Sequence, residues 1–150
     1  MGRASRTGRR FGTVGVFVAI AAIAWLPGCQ NTLKLYEGGT KPAEEVAVFV
    51  PVPHDLYFFH VFHVEIVSVD DHVVGLANRS VSVLPGSHRV KLRRGAGTGK
   101  KHEVEYTIDA KAGHVYEIDA RDVESDPPGV EFWVVDAHDG SVVAGTKPPK

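Results

Sequence analysis

This chain of 150 residues has a single cysteine, no acidic residue near its start and no apolar run long enough to cross a bilayer. Each of these scarcities excludes a structural feature. Cys29 is the only cysteine, which excludes an intrachain disulfide. No aspartate or glutamate precedes it, so the start of the chain is purely cationic. The apolar run at residues 11–26 counts only 16 residues, whereas a helix needs about 20 to cross a bilayer. This length favours a removable segment over a permanent transmembrane anchor.

The first 28 residues have the organisation of an export signal. Residues 1–10 carry four arginines, and residues 11–26 are uncharged and apolar. A positive start followed by a short apolar run is typical of a secretory signal peptide. Pro27 and Gly28 then interrupt any helix or strand, and polar residues follow Cys29 at once. Cys29 therefore lies at a boundary, where a thiol serves chemistry better than packing.

Residues Leu26-Pro27-Gly28-Cys29 resemble the lipobox of bacterial lipoproteins, Leu-x-(Gly/Ala)-Cys. The resemblance implies cleavage between Gly28 and Cys29, a diacylglycerol on the Cys29 sulfur and an acyl group on the new amino terminus. It implies no other cofactor. Pro27 departs from the small or hydroxyl residue that is usual in the motif. Gln30 is not the aspartate that retains such proteins in the inner membrane, so the implied location is the outer membrane, facing the periplasm.

Removal of residues 1–28 leaves 122 residues, enough for one domain. This mature part has thirteen Lys and Arg against eighteen Asp and Glu, a net charge of −5. An acidic domain without a basic stripe argues against a nucleic-acid partner, because such binding needs cations to neutralise phosphates. We divide the chain into a signal peptide (1–28), a lipidated N-terminus and polar tether (29–45), a folded domain (46–145) and a flexible tail (146–150).

The folded domain is rich in Val, Ile, Tyr and Phe and lacks a helical period, which predicts strands. In "VKLR" and "EVEYTI", apolar residues alternate with charged ones, so Leu92 should point inward and Arg93 outward. Turn residues separate the runs. We predict an all-β fold, a small antiparallel β-sandwich of seven to eight strands. The predicted strands are 46–50, 56–69, 80–84, 88–93, 103–110, 114–120, 131–137 and 141–145.

Much of the mature chain also resembles a group of poorly characterised bacterial lipoproteins. The similar stretches are "LYEGGTKPAEEVAVF", "VEIVSVDD", "VSVLPGSHRVKL", "AKAGHVYEIDA" and "VVDAHDGSVVA", and the turn "PGSH" is similar to that of PEGA-type surface modules. Asp71 stands where the group has glycine, and the opening of a PEGA repeat is missing. The resemblance implies a β-sandwich in the cell envelope and no particular activity.

Enzymatic motifs are not found. "RGAGTGKK" lacks the first glycine and the hydroxyl residue of a phosphate-binding loop, and an alternating strand follows it instead of a helix. There is no Gly-x-Ser-x-Gly elbow, and the cysteine is used for lipid. We therefore predict that the protein is not an enzyme.

Eight histidines leave one chemical alternative open. In "HVFHVE", His63 and Glu65 share a strand face and could hold zinc, whereas His60 should point to the opposite face. Further ligands would have to come from other strands. Two functions remain: a non-catalytic module that docks to another envelope component, or a periplasmic ligand- or metal-binding protein that uses these histidines. The partners expected are the membrane, through the lipid, and an envelope protein.

Overall fold

The computed structural model describes residues 32–56, 59–62, 64–75, 80–94, 101–124 and 129–149. These residues form twelve strands and one short 3-10 helix, Ala43–Glu45, so the predicted all-β class is confirmed. No helix among them is long and apolar enough to span a membrane. The strands are β1 (Thr32–Lys34), β2 (Ala47–Pro51), β3 (Pro53–Leu56), β4 (Phe59–Phe62), β5 (Val64–Val69), β6 (His72–Val73), β7 (Ser80–Val83), β8 (Gly86–Arg94), β9 (His102–Ala110), β10 (Val115–Val123), β11 (Gly129–Asp136) and β12 (Val142–Gly145).

Two sheets form the layers of a sandwich. The larger has the order β1-β7-β2-β10-β11-β12, the smaller has the order β6-β5-β8-β9, and β3 and β4 form a separate hairpin. Most neighbouring strands are antiparallel, as expected. The exceptions are β1 with β7 and β2 with β10, which are parallel. A parallel neighbour is joined by a long connection, so alternation within each strand could not predict these two pairings.

The core lies between the sheets and is built by alternation along the strands. Phe49, Tyr116 and Ile118 of the larger sheet face Leu92 and other apolar residues of the smaller sheet, and all four are fully buried. Arg93, next to Leu92, instead bonds to Glu103 through Nε and Oε1 at 2.8 Å. The predicted orientation of these two residues is therefore confirmed.

The single strand predicted over 56–69 is wrong. The run divides into β4, which pairs with β3, and β5, which belongs to the smaller sheet. A strand that is apolar on both faces carries no signal for where it should break, because alternation is the only local marker of a face.

The polar tether predicted over 29–45 is also wrong for the part that the structure describes. Residues 32–34 form β1 and pair with β7, and Leu33 and Leu35 pack against the core. The 3-10 helix at 43–45 precedes Val46, whose carbonyl accepts from the N–H of Gly113 at 2.8 Å. The fold therefore begins no later than Thr32, and the predicted cleavage and lipid sites, Gly28 and Cys29, lie outside the described residues.

The strands run between two ends of the sandwich. We call the end with Thr32, Val64, Arg94 and Asp122 the proximal end, because Thr32 is the described residue nearest to Cys29 in the sequence. Register places Thr32 beside Ser80 and Val64 beside Arg94, and Arg94 Nε bonds to Asp122 Oδ1 at 2.9 Å across the two sheets. The opposite end is the distal end, and it contains Asp70, Leu84, His114 and Asp136.

Candidate functional site

Three histidines form close pairs with aspartates in the described part of the chain. The nitrogen–oxygen distances are 2.7 Å for His54 with Asp119, 2.5 Å for His88 with Asp70 and 2.7 Å for His114 with Asp136. The last two pairs lie at the distal end. Each of these two joins residues about twenty positions apart, so the fold brings the partners together.

The Asp70–His88 pair joins the β5–β6 turn to β8. Asp70 and Asp71 have φ of 48° and 67°, the left-handed conformation that a two-residue hairpin turn requires and that Asp tolerates. Asp70 Oδ1 accepts from the N–H of Arg89 at 2.9 Å, and His88 Nε2 lies 2.7 Å from the carbonyl oxygen of Leu84. Partial burial raises the pKa of Asp70, but the hydrogen bonds from His88 and Arg89 outweigh it and hold that pKa below 3.8.

Both ring nitrogens of His88 have partners inside the fold. Nδ1 lies 2.5 Å from Asp70 Oδ2, and Nε2 faces the carbonyl oxygen of Leu84. Both nitrogens are therefore engaged within the fold, and neither is available to a metal ion in this arrangement.

The His114–Asp136 pair closes the turn that follows β11. Asp136 is 1% exposed, and its two carboxylate oxygens accept from His114 Nδ1 and from the N–H of His138 at 3.0 Å. The rings of His114 and His138 lie 4.6 Å apart. Asp139 accepts from the N–H of Ser141 at 2.8 Å, and its hydrogen bonds with Ser141 lower its pKa. The turn is thus held by two carboxylates, the buried one of Asp136 and the exposed one of Asp139.

The metal ligands suggested by the sequence are not brought together in the part that the structure describes. His63 lies outside the described residues, and for His60 only the backbone, in β4, is described. Glu65 lies 3.8 Å from the guanidinium of Arg93, a cation that would repel a metal ion. Across the described ranges, no group of three histidine, cysteine, aspartate or glutamate side chains is arranged to hold a metal.

Cations and carboxylates pair across the outer face of the smaller sheet. Arg93 and Lys91 of β8 each pair with Glu103 of β9 at 2.8 Å, and Arg93 also faces Glu65 of β5. The hydrogen bonds from Lys91 and Arg93 lower the pKa of Glu103. Surface ion pairs of this kind contribute little to stability.

Among the residues whose exposure the structure describes, the exposed large hydrophobic ones are at the distal end. They form two groups, Val73 with Leu84 beside the Asp70–His88 pair, and Val115 with Val142 and Val143 beside the His114–Asp136 pair. Val73 is the most exposed of them, at 78%. Apolar residues exposed at one end of the domain are candidates for a contact surface.

Comparisons of this chain with family models, with curated proteins and with solved structures give no match. The site must therefore be interpreted from its own geometry.

The sequence carries no clear signal for these pairs. Asp136 follows the run "FWVV", which is apolar and buried at both strand parities, so alternation does not show that the carboxylate points inward. The structure shows that this buried carboxylate has His114 and a backbone N–H as partners.

Proposed function

We propose that this protein is a lipid-anchored lipoprotein of the cell envelope whose β-sandwich is a non-catalytic docking module. The observation that carries the proposal is the lipobox-like Leu26-Pro27-Gly28-Cys29 directly after a cationic start and a 16-residue apolar run. The lipid would hold the proximal end at the membrane. The proposed location is the outer membrane, facing the periplasm.

The short distance between Cys29 and the first strand supports this arrangement. Only Gln30 and Asn31 separate Cys29 from Thr32. Three Cα–Cα steps span at most about 11 Å, so an anchored domain would stay against the membrane surface. Thr32 is held in turn by the pairing of β1 with β7 and by a 2.7 Å hydrogen bond between its Oγ1 and Ser80 Oγ.

The distal end is the surface that we propose for docking. It would point away from the membrane, and it carries the two exposed apolar groups, Val73 with Leu84 and Val115 with Val142 and Val143. The two histidine–aspartate pairs hold the neighbouring turns in place, which preorganises this end for a partner. We assign these pairs a structural role, because the Asp136 oxygens are already used by His114 and by the backbone of the turn.

The alternative function, ligand or metal binding through strand histidines, has less support. Glu65 is paired with Arg93, and His88 uses both of its nitrogens in the fold. We therefore carry the docking function forward.

The anchor is tested by Cys29→Ser expressed in a bacterium that processes lipoproteins. We expect the unprocessed precursor to accumulate, because the sulfur that accepts the diacylglycerol is gone. The control is Ser141→Cys in the same background, which restores a thiol at the distal end but not at the signal. Normal processing of Cys29→Ser would overturn the lipoprotein proposal.

The docking surface is tested by photo-crosslinkers placed at Leu84 and at Val143 in intact cells. The same partner should be crosslinked from both positions. A crosslinker at Glu103, which is exposed on the charged face of β9 and lies opposite Arg93, away from the distal end, is the matched control and should give no adduct. Equal crosslinking from all three positions would exclude a specific distal surface.

A further inference from the structure

We propose that β1 is a releasable strap that controls the orientation of the sandwich on the membrane. While β1 is paired with β7, it holds the proximal end next to the lipid of Cys29. When β1 is released, the sandwich stays attached only through Val46, at its distal end, on a flexible tether. This inference rests on the proposed lipid anchor and adds a conformational change to it.

β1 is held by few contacts. It is an edge strand of the larger sheet, it spans three residues, and its neighbour in that sheet is β7. The pairing is parallel, which is slightly weaker per residue than antiparallel pairing. A 2.7 Å hydrogen bond joins Thr32 Oγ1 to Ser80 Oγ, and the N–H of Leu35 bonds to the carbonyl of Ser82 at 2.9 Å. Such a strand can open locally while β7 stays paired with β2.

The part of β7 that lies beside β1 on the outer face is polar. Ser80 and Ser82 are 4% and 5% exposed, and their register partners in β1 are Thr32 and Lys34. Because side chains alternate along a strand, these serines face away from the core, towards which Val81 points. Release of β1 would therefore expose two hydroxyl groups, which water can solvate, on this face.

Release also has a cost, which keeps the paired state dominant. Leu33 and Leu35 are half-buried and pack against the core, and both would become exposed to water. We therefore expect the released state to be a minor one, with a population of about 0.1 to 10%.

The chain that follows β1 allows it to leave. Residues 37–40 are exposed, and none of the residues of the 3-10 helix at 43–45 is buried. The hydrogen bond from Lys34 Nζ to Thr40 Oγ1 lies within the same segment, so it does not fasten β1 to the sandwich. Val46 is the next buried residue, and its carbonyl accepts from the N–H of Gly113 at 2.8 Å. The tether would therefore end at Val46.

Release moves the point of attachment from one end of the sandwich to the other. Thr32 lies at the proximal end, whereas β2 begins at the distal end, where Ala47 pairs with Val83. Three Cα–Cα steps, at most about 11 Å, separate Cys29 from Thr32. Seventeen steps separate Cys29 from Val46, and a flexible segment of this length has a mean span of roughly 21 to 25 Å. The released sandwich would be free to turn over.

The strap would thereby decide which components the distal docking surface can reach. In the paired state this surface points away from the membrane, towards a component at a distance from it. In the released state it can approach a component in the membrane itself. A partner that binds only the released sandwich would shift the equilibrium by its difference in affinity for the two states.

Thiol labelling of the full-length, lipidated protein in vesicles tests the release, because the only natural cysteine is expected to carry the lipid. Ser82→Cys places a thiol beside β1, and Ser80→Cys is a second such position. Val134→Cys, in β11, is the buried control, because three strands separate β11 from β1. Ser87→Cys, in β8, is the exposed control. The mass of each protein gives both the extent of labelling and the presence of the lipid.

We expect the thiols at 80 and 82 to be labelled at least about tenfold faster than the one at 134, because β1 opens without the rest of the domain. Both should be labelled at least about tenfold more slowly than the one at 87, because the released state is minor. Low concentrations of urea should accelerate labelling most at 134, since global unfolding exposes more surface than release of one strand.

Equal rates at 80, 82 and 134 would show that β1 opens only with the whole domain, which overturns the strap while the anchor stands. Rates at 80 and 82 as fast as the rate at 87 would overturn it as well, because β1 would then not be paired. If the mass shows no lipid on Cys29, the anchor fails and the inference fails with it.

Discussion

Asp70 Oδ2 and His88 Nδ1 lie 2.5 Å apart across the ends of two strands, and the second nitrogen of His88 lies 2.7 Å from the carbonyl oxygen of Leu84. One ion pair thus ties together the β5–β6 turn, the start of β8 and the turn after β7. These three segments border Val73 and Leu84, one of the two apolar groups proposed for docking.

Asp70→Asn tests this ion pair. Asn tolerates the positive φ of 48° but cannot supply the anion, so we expect a loss of about 1 to 2 kcal/mol in the free energy of unfolding. The matched control is Asp71→Asn, also at positive φ, whose exposed pair with Arg89 should contribute less than about 1 kcal/mol. Urea unfolding of the purified mature protein measures both.

The same pair predicts a pH dependence with a defined sign. The folded-state pKa of Asp70 lies below 3.8, so its contribution is fully present above 3.8 and is lost as the pH falls through the lower, folded-state value. The difference between wild type and Asp70→Asn should therefore shrink below pH 3.8. A difference that persists unchanged in that range would show that the carboxylate charge is not its source.

Leu92→Asp and Arg93→Ala test the packing of β8. Leu92 is fully buried, so a carboxylate there would be unpaired in the core and should cost several kcal/mol or prevent folding. Arg93→Ala removes only partly exposed ion pairs, and we expect a loss of about 1 kcal/mol or less. Circular dichroism during thermal unfolding measures the stability of both variants. Similar losses would mean that the two side chains do not face opposite sides.

Gly145→Ala and Gly140→Ala test the close packing of β12 against β11 in its own sheet and against Tyr106 of β9 in the other. Both glycines have positive φ, 73° and 75°. A Cβ at Gly145 would lie 2.0 Å from the carbonyl oxygen of Phe132 and 2.9 Å from Tyr106 Oη, whereas nothing lies within 4 Å of one at Gly140. Gly140→Ala should therefore cost about 1 to 2 kcal/mol from backbone strain alone, and Gly145→Ala clearly more. Equal melting temperatures would rule out the close approach of β12 to β11.

The strands with clear alternation could be predicted closely from the sequence. β9 was predicted over 103–110 and spans His102–Ala110, because Val104, Tyr106 and Ile108 alternate with Glu and Thr. β1 could not be predicted, since three residues have no period and its partner, β7, begins almost fifty residues later. The division of 56–69 between two sheets was also hidden, because a run that is apolar on both faces has no marked break.

The candidate site was harder to predict from the sequence than the strands were, because its residues meet only in the folded chain. Asp136 and His114 are 22 residues apart, and only the antiparallel pairing of β10 with β11 brings their ends together. The histidines that the sequence grouped, His60 and His63, are neighbours in the chain, but spacing along a strand gives at most two ligands on a face. A site made by strand ends requires the topology, which local patterns do not contain.

The position of β1 gives a prediction about where the domain begins. A chain starting at Thr32 should unfold in a single cooperative transition, as is usual for one domain of this size. A chain starting at Val46, the boundary expected from the sequence, would lose Leu33 and Leu35 from the core and should be less stable by about 2 kcal/mol or more. Equal stability in urea would mean that β1 contributes nothing to the fold.

The most direct test of the lipid anchor is the mass of the mature amino terminus, measured on protein extracted from membranes of a lipoprotein-processing bacterium. We predict that the chain begins at Cys29 and carries a thioether-linked diacylglycerol and an N-linked acyl group. A chain that retains residues 1–28, or one whose Cys29 has a free thiol, would contradict the account.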